Sequence, residues 1–285
     1  MMDPGGKGTV TMGIGSDGYR AETDSGHTFW TGLRTLTQAR IGLGRAGDAL
    51  PTRRVLEFAA AHARARDAVH TVLDLNTFSA RIAALGLGAP VHVPSRARDR
   101  AEYLRRPDLG RLPAEGPIHL DPVPSGAGEK PSIAVVLADG LSAGALTEHG
   151  PPLLEAIVGL LRPRYSVAVP VVATQARVGL GDHIGAALGV ATVLVLIGER
   201  PGLSVADSLG IYLPHRPRPG ATDADRNCVS NIHPPEGLDY RRAAEVTAGL
   251  VAGAHRLGRS GVELKDMSRD PVLPGPAAPL EDGGR

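Results

Sequence analysis

Three uninterrupted apolar runs, each closed by turn residues, constrain the fold of this chain more than any other feature. The runs are Ile133–Ala138, Val167–Val172 and Thr192–Ile197. Apolar runs of this length without polar alternation are typical of strands that are buried on both faces. Helical patterns lie between them at Pro152–Leu161 and Asp182–Leu188. Because strands that alternate with helices form parallel sheets, we predict an α/β fold with a parallel, doubly wound sheet.

Changes in composition divide the chain into five predicted segments. They are a disordered leader at 1–26, a helical N-terminal domain at 27–112, a linker at 113–130, an α/β domain at 131–265 and a disordered tail at 266–285. The leader and the tail are rich in Gly, Pro or small polar residues, which do not bury a core. The linker contains Pro and Gly without any periodicity. A last helix, Tyr240–Leu257, is expected to cover one face of the sheet.

The composition limits the classes of partner. The 31 Lys and Arg residues nearly balance the 30 Asp and Glu residues, for a formal net charge of +1. This balance steers the protein toward neither nucleic acid nor an anionic membrane. The longest uncharged stretch, Ile184–Gly198, is shorter than the roughly 18–20 residues that a membrane helix needs. The single cysteine, Cys228, excludes internal disulfides and fits a reducing cytoplasm. We expect a cytoplasmic protein with no nucleic-acid or membrane partner.

Four segments at the ends of predicted strands are candidates for a binding cleft. They are Asp139–Ser142, Gln175–Gly179, Gly198–Ser204 and Asp225–His233. In an open parallel sheet, ligands bind beyond the carboxyl ends of the strands, where loops and helix N-termini converge. The alternative is that each is an ordinary turn, with Asp139 capping a helix and Glu199 forming a surface ion pair with Arg200.

The sequence contains no convincing set of catalytic or metal-ligating residues. None of its 10 histidines has the spacing with a glutamate that makes a zinc site, and there is no Gly-x-Ser-x-Gly motif. Gly42–Gly47 has the Gly-x-Gly-x-x-Gly spacing of a dinucleotide site, with Asp67 further on. A true fingerprint follows a strand and opens a helix, whereas a helical pattern precedes this segment and Pro51 follows it. We therefore favour a loop between helices and expect no catalytic residue and no metal ligand in this chain.

Several separated blocks of sequence resemble the small (light) subunit family of ethanolamine ammonia-lyase, an adenosylcobalamin-dependent bacterial enzyme. The blocks are Gly44–Gly47, Tyr103–Arg111, Asp139–Ser142, Arg177-Val178 with Asp182 and Ile184-Gly185, Gly198–Leu203, and Asp225-Arg226 with Cys228 and Ser230–His233. The resemblance covers roughly residues 30–265 and leaves both tails outside. So many blocks in one order make a chance match very improbable.

The resemblance implies a division of labour between two chains. The large subunit of this family is a TIM barrel that holds ethanolamine and the radical chemistry, and the small subunit contributes a Rossmann-like face that closes over the cobalamin. The products are acetaldehyde and ammonia, and the cofactor performs the difficult step. The cofactor-binding positions of the family correspond here to Val178, Glu199 and Cys228. Neighbouring candidates, ranked lower, are Arg177, Asp139, Ser142, Ser230 and Asn231.

Residue types suggest a role for each of the three main positions. Val178 offers its backbone and an apolar surface to the corrin edge, Glu199 accepts hydrogen bonds from corrin amides, and Cys228 is small enough for close approach. No histidine of the chain has an aspartate two residues before it, so the Asp-x-His motif that replaces the lower axial base is absent. The cofactor is therefore expected to bind with its own dimethylbenzimidazole on cobalt, the base-on form that the family resemblance also implies.

Two other functions remain open from the residues alone. One is a stand-alone NAD-dependent oxidoreductase on the same type of sheet, and the other is a non-enzymatic corrinoid-binding protein. The helical N-terminal half is predicted to dock on the large subunit through arginines, which form bidentate pairs with carboxylates at interfaces. These arginines are Arg53, Arg54, Arg105, Arg106 and Arg111. A cytoplasmic location is expected, with a bacterial microcompartment as the alternative.

Overall fold

The computed structural model describes residues 28–121, 123 and 131–267. The predicted leader, residues 122 and 124–130 of the predicted linker, and residues 268–285 of the predicted tail lie outside this range. Contacts divide the chain into two compact units, Met1–Ala60 and Ala61–Arg285. The predicted division at 113–130 stays a prediction, because that segment is only partly described.

A mixed sheet forms the centre of the second unit. Its strands in the described residues are β1 (Val91–Pro94), β2 (Ile133–Ala138), β3 (Val171–Thr174), β4 (Thr192–Gly198), β5 (Leu209–Pro214) and β6 (Arg226–Ile232). Their order in the sheet is β1-β3-β2-β4-β5-β6. The strands from β1 to β4 are parallel to their neighbours, whereas β5 is antiparallel to β4 and β6 is antiparallel to β5. The α/β class and the mostly parallel sheet are thus confirmed, and the antiparallel edge was not predicted.

Helices precede the sheet and separate its strands. They are α1 (Thr52–His70), α2 (Leu75–Ala83), α3 (Arg100–Arg105), α4 (Ala143–Leu161), α5 (Val178–Leu188) and α6 (Tyr240–Leu257). Residues 28–34 are also helical, and short 3-10 turns occur at Leu109–Arg111 and Asp223–Asp225. None of the helices in the described ranges is both long enough and apolar enough to cross a membrane.

The core lies on both faces of the sheet, as the apolar runs require. In β2, Ile133, Val135 and Leu137 belong to one buried cluster, with residues of α4 and α6. The alternate residues of β2 belong to a second cluster, with residues of α5. Because successive side chains of a strand point to opposite faces, β2 is covered on both sides.

Two elements differ from the sequence prediction for reasons that involve proline. β3 was expected from Val167 but begins at Val171, and Val167 makes only an isolated bridge to Ile133. Pro170 has no N–H to donate to the ladder, so regular pairing begins after it. The helix expected from Pro152 instead begins at Ala143 and continues through Pro151 and Pro152.

The predicted loop at Asp225–His233 is wrong, because Arg226–Ile232 forms the edge strand β6. Only Arg226, Val229 and Ile232 of this strand are buried. Polar residues occupy its other positions, so the segment resembles a loop in sequence. The predicted helical N-terminal domain also contains a strand, since Val91–Pro94 pairs with β3.

Candidate functional site

Among the residues that the structure describes, α5 covers one face of the sheet only as far as β4. Cys228 of β6 pairs with Tyr212 of β5, which in turn pairs with Val195 of β4. Val195 is buried beneath α5, where a Cβ on Gly181 would lie 2.4 Å from its Cγ2 atom. Tyr212 is half-buried and Cys228 is exposed. Helix α5 therefore covers the sheet only as far as β4, and β5 and β6 form the floor of a groove beside it.

Two adjacent cavities lie at this groove, and Arg177, Val178 and Tyr212 line both of them. The first, here called the strand-end cavity, has a volume of about 440 Å³. Its other lining residues are Tyr103, Gly140, Leu141, Ile197, Gly198, Glu199 and Arg200. The second, here called the hairpin cavity, has a volume of about 570 Å³. Its other lining residues are Arg111, Leu112, Gly179, Asp182, His183, Gly220, Ala221, Thr222, Asp223 and Arg226.

Glu199 lies at the strand-end cavity immediately after β4. Its Oε2 atom accepts hydrogen bonds from the Ser208 hydroxyl at 2.7 Å and from the Asn231 N–H at 3.2 Å. Its Oε1 atom lies over Gly210, where a Cβ would approach it to 2.9 Å. The side chain is only half-buried. The carboxylate is thus oriented by two donors and remains accessible to a ligand in the cavity.

Cys228 and Tyr212 form a pair of side chains on the floor of the groove. A hydrogen bond links them, and the pKa of Tyr212 is raised to about 12, chiefly because of its partial burial. Partial desolvation also raises the pKa of the Cys228 thiol. Both groups are therefore neutral near pH 7, and the floor of the groove presents small or aromatic surface without charge. Tyr212 was not among the predicted site residues.

Arg177 forms one wall of both cavities. Its guanidinium lies 4.9 Å from the centroid of the Tyr103 ring, and Arg100 lies at 5.0 Å from the same centroid. The Tyr103 hydroxyl donates to the Ala176 carbonyl at 3.1 Å. Cation–π contacts of this kind hold a guanidinium in place without consuming its N–H donors. The stack thus orients Arg177, and the tyrosine of a short helix gave no sequence signal of this role.

Asp139 lies beneath the groove rather than in it. It is fully buried, and its two oxygens accept hydrogen bonds from the Gln175 and Ala176 N–H groups at 2.8 and 2.9 Å. Arg100 lies 3.9 Å from the same carboxylate. Burial raises the pKa of Asp139, and these hydrogen bonds and Arg100 oppose that shift. The residue fixes the loop that leads into α5.

Replacing Asp139 with alanine is expected to lower the free energy of unfolding by about 3–5 kcal/mol, because the buried Arg100 loses its counter-charge. The two loop N–H groups would also lose their acceptor. Urea unfolding measures the change. Asp239→Ala is the control, since Asp239 caps α6 through the Arg242 N–H and its loss should cost only about 1 kcal/mol. Equal losses in the two variants would contradict a special role for Asp139.

The remaining predicted residues have varied positions. Ser142 is buried, caps α4 by accepting from the Ala145 N–H, and donates to the Ala206 carbonyl at 3.1 Å. Ser230 is exposed on β6. Asn231 has a positive φ of 62°, and its Oδ1 atom lies 2.8 Å from His233 Nε2. Arg177, Val178 and Glu199 thus meet at one cavity, and Cys228 adjoins it through Tyr212. Asp139 holds the loop that precedes Arg177, whereas Ser142 lines a different cavity.

The segment Gly42–Gly47 forms a loop, as the sequence predicted. No strand occurs in residues 28–41, and α1 begins only at Thr52. Gly42, Gly44 and Gly47 all have positive φ angles. A Cβ on Gly42 would lie 2.3 Å from the Trp30 ring, so this glycine allows the loop to pack on Trp30. The segment therefore lacks the strand–turn–helix context of a dinucleotide site.

Sequence comparisons relate the chain to one group of proteins. The model of the family described as "Ethanolamine ammonia-lyase light chain (EutC)" matches residues 27–265. An ethanolamine ammonia-lyase small subunit from Rhodococcus erythropolis is 62% identical over 254 residues, which cover 89% of this chain and 96% of that protein. Small subunits from Bradyrhizobium diazoefficiens and Ralstonia nicotianae are 50% and 47% identical, over 84% and 86% of this chain and 90% of each relative.

Proposed function

Because the chain belongs to the ethanolamine ammonia-lyase light-chain family, we propose that its open groove covers one side of a cobalamin cofactor. The chain is the small-subunit component of a lyase complex that converts ethanolamine to acetaldehyde and ammonia. Its partner is the large subunit of that complex. An independent NAD-dependent oxidoreductase is not supported, since the matched family is a lyase and Gly42–Gly47 has no preceding strand.

The residues around the groove fit a corrin. A corrin is a broad apolar ring with primary amides at its edge, so its site needs an uncharged floor and hydrogen-bonding groups at the rim. Tyr212 and Cys228 supply the floor, and Val178 supplies an apolar edge at the first turn of α5. At the rim, Glu199 is an acceptor and Arg177 is a donor. The position of Glu199, oriented by two donors but accessible, is the observation that carries this proposal.

The chemistry of the reaction comes from the cofactor. When bound, adenosylcobalamin supplies a carbon radical that abstracts hydrogen from the substrate. The residues of this chain would bind the ring, orient it and exclude water from it. We further propose that the base-on form binds here, because the Asp-x-His motif that replaces the lower axial base is absent from the sequence. The substrate is proposed to lie in the large subunit, as the family resemblance implies.

A cytoplasmic location, with a bacterial microcompartment as the alternative, stays a prediction.

The five proposed docking arginines also stay a prediction, and most of them already have partners within the chain. Arg53 and Arg54 pair with Glu57, and Arg106 pairs with Asp108. Large apolar side chains are more prominent on the first unit and α1. They are Phe29, Trp30, Leu36, Leu50, Val55, Leu56 and Phe58, and all are exposed. We therefore propose that these apolar residues, more than the arginines, dock on the large subunit.

Replacing Glu199 with alanine tests the proposed groove. A hydrogen bond to a charged group contributes about 1.5–3 kcal/mol, so Glu199→Ala should weaken cobalamin binding by about 10- to 150-fold. The dissociation constant is measured by equilibrium dialysis of hydroxocobalamin against the reconstituted complex. Glu199→Gln should lose less, because its amide oxygen still accepts a hydrogen bond.

Glu245→Ala provides the matched control for this experiment. Glu245 lies on α6, on the opposite face of the sheet, and pairs with Arg241 at 3.0 Å. Its replacement removes the same carboxylate and should leave the dissociation constant unchanged. If Glu199→Ala also binds hydroxocobalamin with unchanged affinity, Glu199 does not contact the cofactor and the proposed position of the ring is wrong.

A further inference from the structure

Strand β6 contains a bulge at the point where it passes Gly210 of β5. The pairing of the two strands shifts by one residue between Leu209 and Ile211. Gly210 therefore faces two residues of β6, Ser230 and Asn231, and Asn231 has a left-handed φ of 62°. A bulge of this kind bends its strand and re-aims the groups of the extra residue, and such bulges are frequent beside functional sites. We therefore asked which groups this bulge redirects.

The bulge directs the N–H of Asn231 at the Glu199 carboxylate. In a regular strand this N–H would lie in the plane of the sheet. Here it donates to Glu199 Oε2 at 3.2 Å. Asparagine adopts the left-handed conformation more readily than most residues, because its short polar side chain bonds locally. The Oδ1 atom of Asn231 lies 2.8 Å from Nε2 of the buried His233, and this contact fixes the bulge from its other side.

The same carboxylate lies on the groove side of β5. Leu209 and Ile211 belong to the core cluster on the opposite side, so Gly210 and Tyr212 face the groove. A Cβ on Gly210 would lie 2.9 Å from Glu199 Oε1, and its three nearest neighbours would all be side-chain atoms of Glu199. The carboxylate thus occupies the space that a side chain at this position of β5 would take.

Both donors that reach the carboxylate end on one of its two oxygens. The Ser208 hydroxyl donates to Oε2 at 2.7 Å, and the Glu199 N–H donates to the Ser208 carbonyl at 2.9 Å. The Asn231 N–H is the second donor to Oε2. Within the part of the chain that the structure describes, no donor reaches Oε1. A carboxylate offers about two acceptor positions on each oxygen, so Oε2 is occupied and Oε1 keeps its capacity.

We propose that Ser208, Gly210 and the bulge at Asn231 are positioning elements, which hold Oε2 of Glu199 and present Oε1 to an amide N–H of the corrin. This inference rests on the proposed function, in which Glu199 accepts from the cofactor. Asn231, itself predicted to contact the cofactor, would act through Glu199 instead. A carboxylate that is oriented before binding loses less conformational freedom when the ligand arrives, and this increases affinity.

A double-mutant cycle tests the positioning role. Dissociation constants of hydroxocobalamin are measured by equilibrium dialysis against the complex of this chain with the large subunit. Ser208→Ala should weaken binding about 3- to 10-fold, because one hydrogen bond that orients the carboxylate is lost. In the Glu199→Ala background the same change should have no effect, since no carboxylate remains to be positioned. Ser208→Thr keeps the hydroxyl and should retain most of the affinity.

Gly210→Ala acts on the same carboxylate from the other side. The atoms nearest to the added methyl group form the flexible end of Glu199, so the carboxylate can move while the strand stays in place. Binding should weaken at least about 3-fold, again only while Glu199 is present. Asn231→Gly keeps the N–H and allows the left-handed backbone, so it should stay within about 2-fold of the wild type. A loss as large as that of Glu199→Ala would mean that the Asn231 side chain itself contacts the cofactor.

Ser132→Ala and Gly159→Ala are the matched controls. The Ser132 hydroxyl donates to the Ser166 carbonyl at 3.3 Å, just before β2. Gly159 lies on α4, where no atom would lie within 4 Å of an added Cβ. Each control makes the same chemical change as its test variant without reaching Glu199. Both should leave the dissociation constant unchanged.

The other outcomes also decide the question. If Ser208→Ala and Gly210→Ala weaken binding equally with and without the Glu199 side chain, they act through the fold and the inference is wrong. If Glu199→Ala weakens binding but neither of these variants does, the inference fails while the proposed function stands. If Glu199→Ala binds as the wild type does, or the wild-type complex does not retain hydroxocobalamin, the proposed function fails as well. Should one of the two variants not assemble with the large subunit, the other decides.

Discussion

Neither this chain nor the large subunit alone is expected to release ammonia from ethanolamine, and mixing the two with adenosylcobalamin is expected to produce full turnover. The groove of this chain offers hydrogen-bonding and apolar contacts, but its tyrosine and cysteine have raised pKa values and remain protonated near pH 7. Groups of this kind bind and position a cofactor but do not replace its radical chemistry. We therefore expect no detectable release of ammonia from either chain alone, and release at a rate proportional to the concentration of the complex when both are mixed.

Release of ammonia is measured after gel filtration of each chain separately and of the mixture. The control is a mixture of the large subunit with this chain after heat denaturation, which should release no ammonia. Turnover by the purified small chain with adenosylcobalamin would show that the active site lies within it. That result would contradict the proposed division of labour between the two chains.

Removing residues 1–60 is expected to reduce co-purification with the large subunit at least about 100-fold, whereas removing residues 1–26 should leave it intact. The longer deletion removes Trp30, Phe29 and Phe58, whose side chains are 40%, 59% and 48% exposed. Buried aromatic side chains are the usual anchors of interfaces, and each contributes about 2 kcal/mol or more. Loss of two anchors would cost about 4 kcal/mol, or roughly 1,000-fold in affinity.

Pull-down of the large subunit with tagged truncated chains measures this effect, and circular dichroism checks that the rest of the chain is folded. A single replacement, Phe58→Ala, should reproduce part of the loss. Leu257→Ala, at an exposed apolar residue of α6, is the matched control and should have no effect. Undiminished affinity of the folded chain without residues 1–60 would place the docking surface in the second unit.

The elements that the sequence predicted well are those in which one physical requirement dominates. β2 and α6 have the predicted bounds, because β2 is buried on both faces and α6 has one apolar stripe. The antiparallel strands were missed because their residues satisfy two requirements at once. In β6, Val229 and Ile232 belong to the core while Ser230 and Asn231 are exposed, and a register shift between Leu209 and Ile211 interrupts the pairing with β5.

The rule for strand ends selected only segments of the chain, Gln175–Gly179 and Gly198–Ser204 among them. The family resemblance singled out Val178 and Glu199 within these segments, and their contact with a cofactor stays a prediction. Tyr212 lies within an apolar strand, and only the pairing of β5 with β4 and β6 brings it to the groove. The stacking of Tyr103 on Arg177 joins residues far apart in the chain. Contacts of that kind depend on tertiary packing, which no local pattern encodes.

The close approach of α5 to the sheet determines how deep the groove can be. A Cβ on Gly181 would lie 2.4 Å from a Val195 methyl, and a Cβ on Gly185 would lie 2.3 Å from a Val193 methyl. Even one added methyl group would therefore have to lift the helix, and Val178 with it. The distance between α5 and the sheet is set by hard-sphere contact of the glycine backbone with the valine methyl groups. The glycine pair thus acts as a fixed spacer, which suits the rigid ring that we propose for the groove.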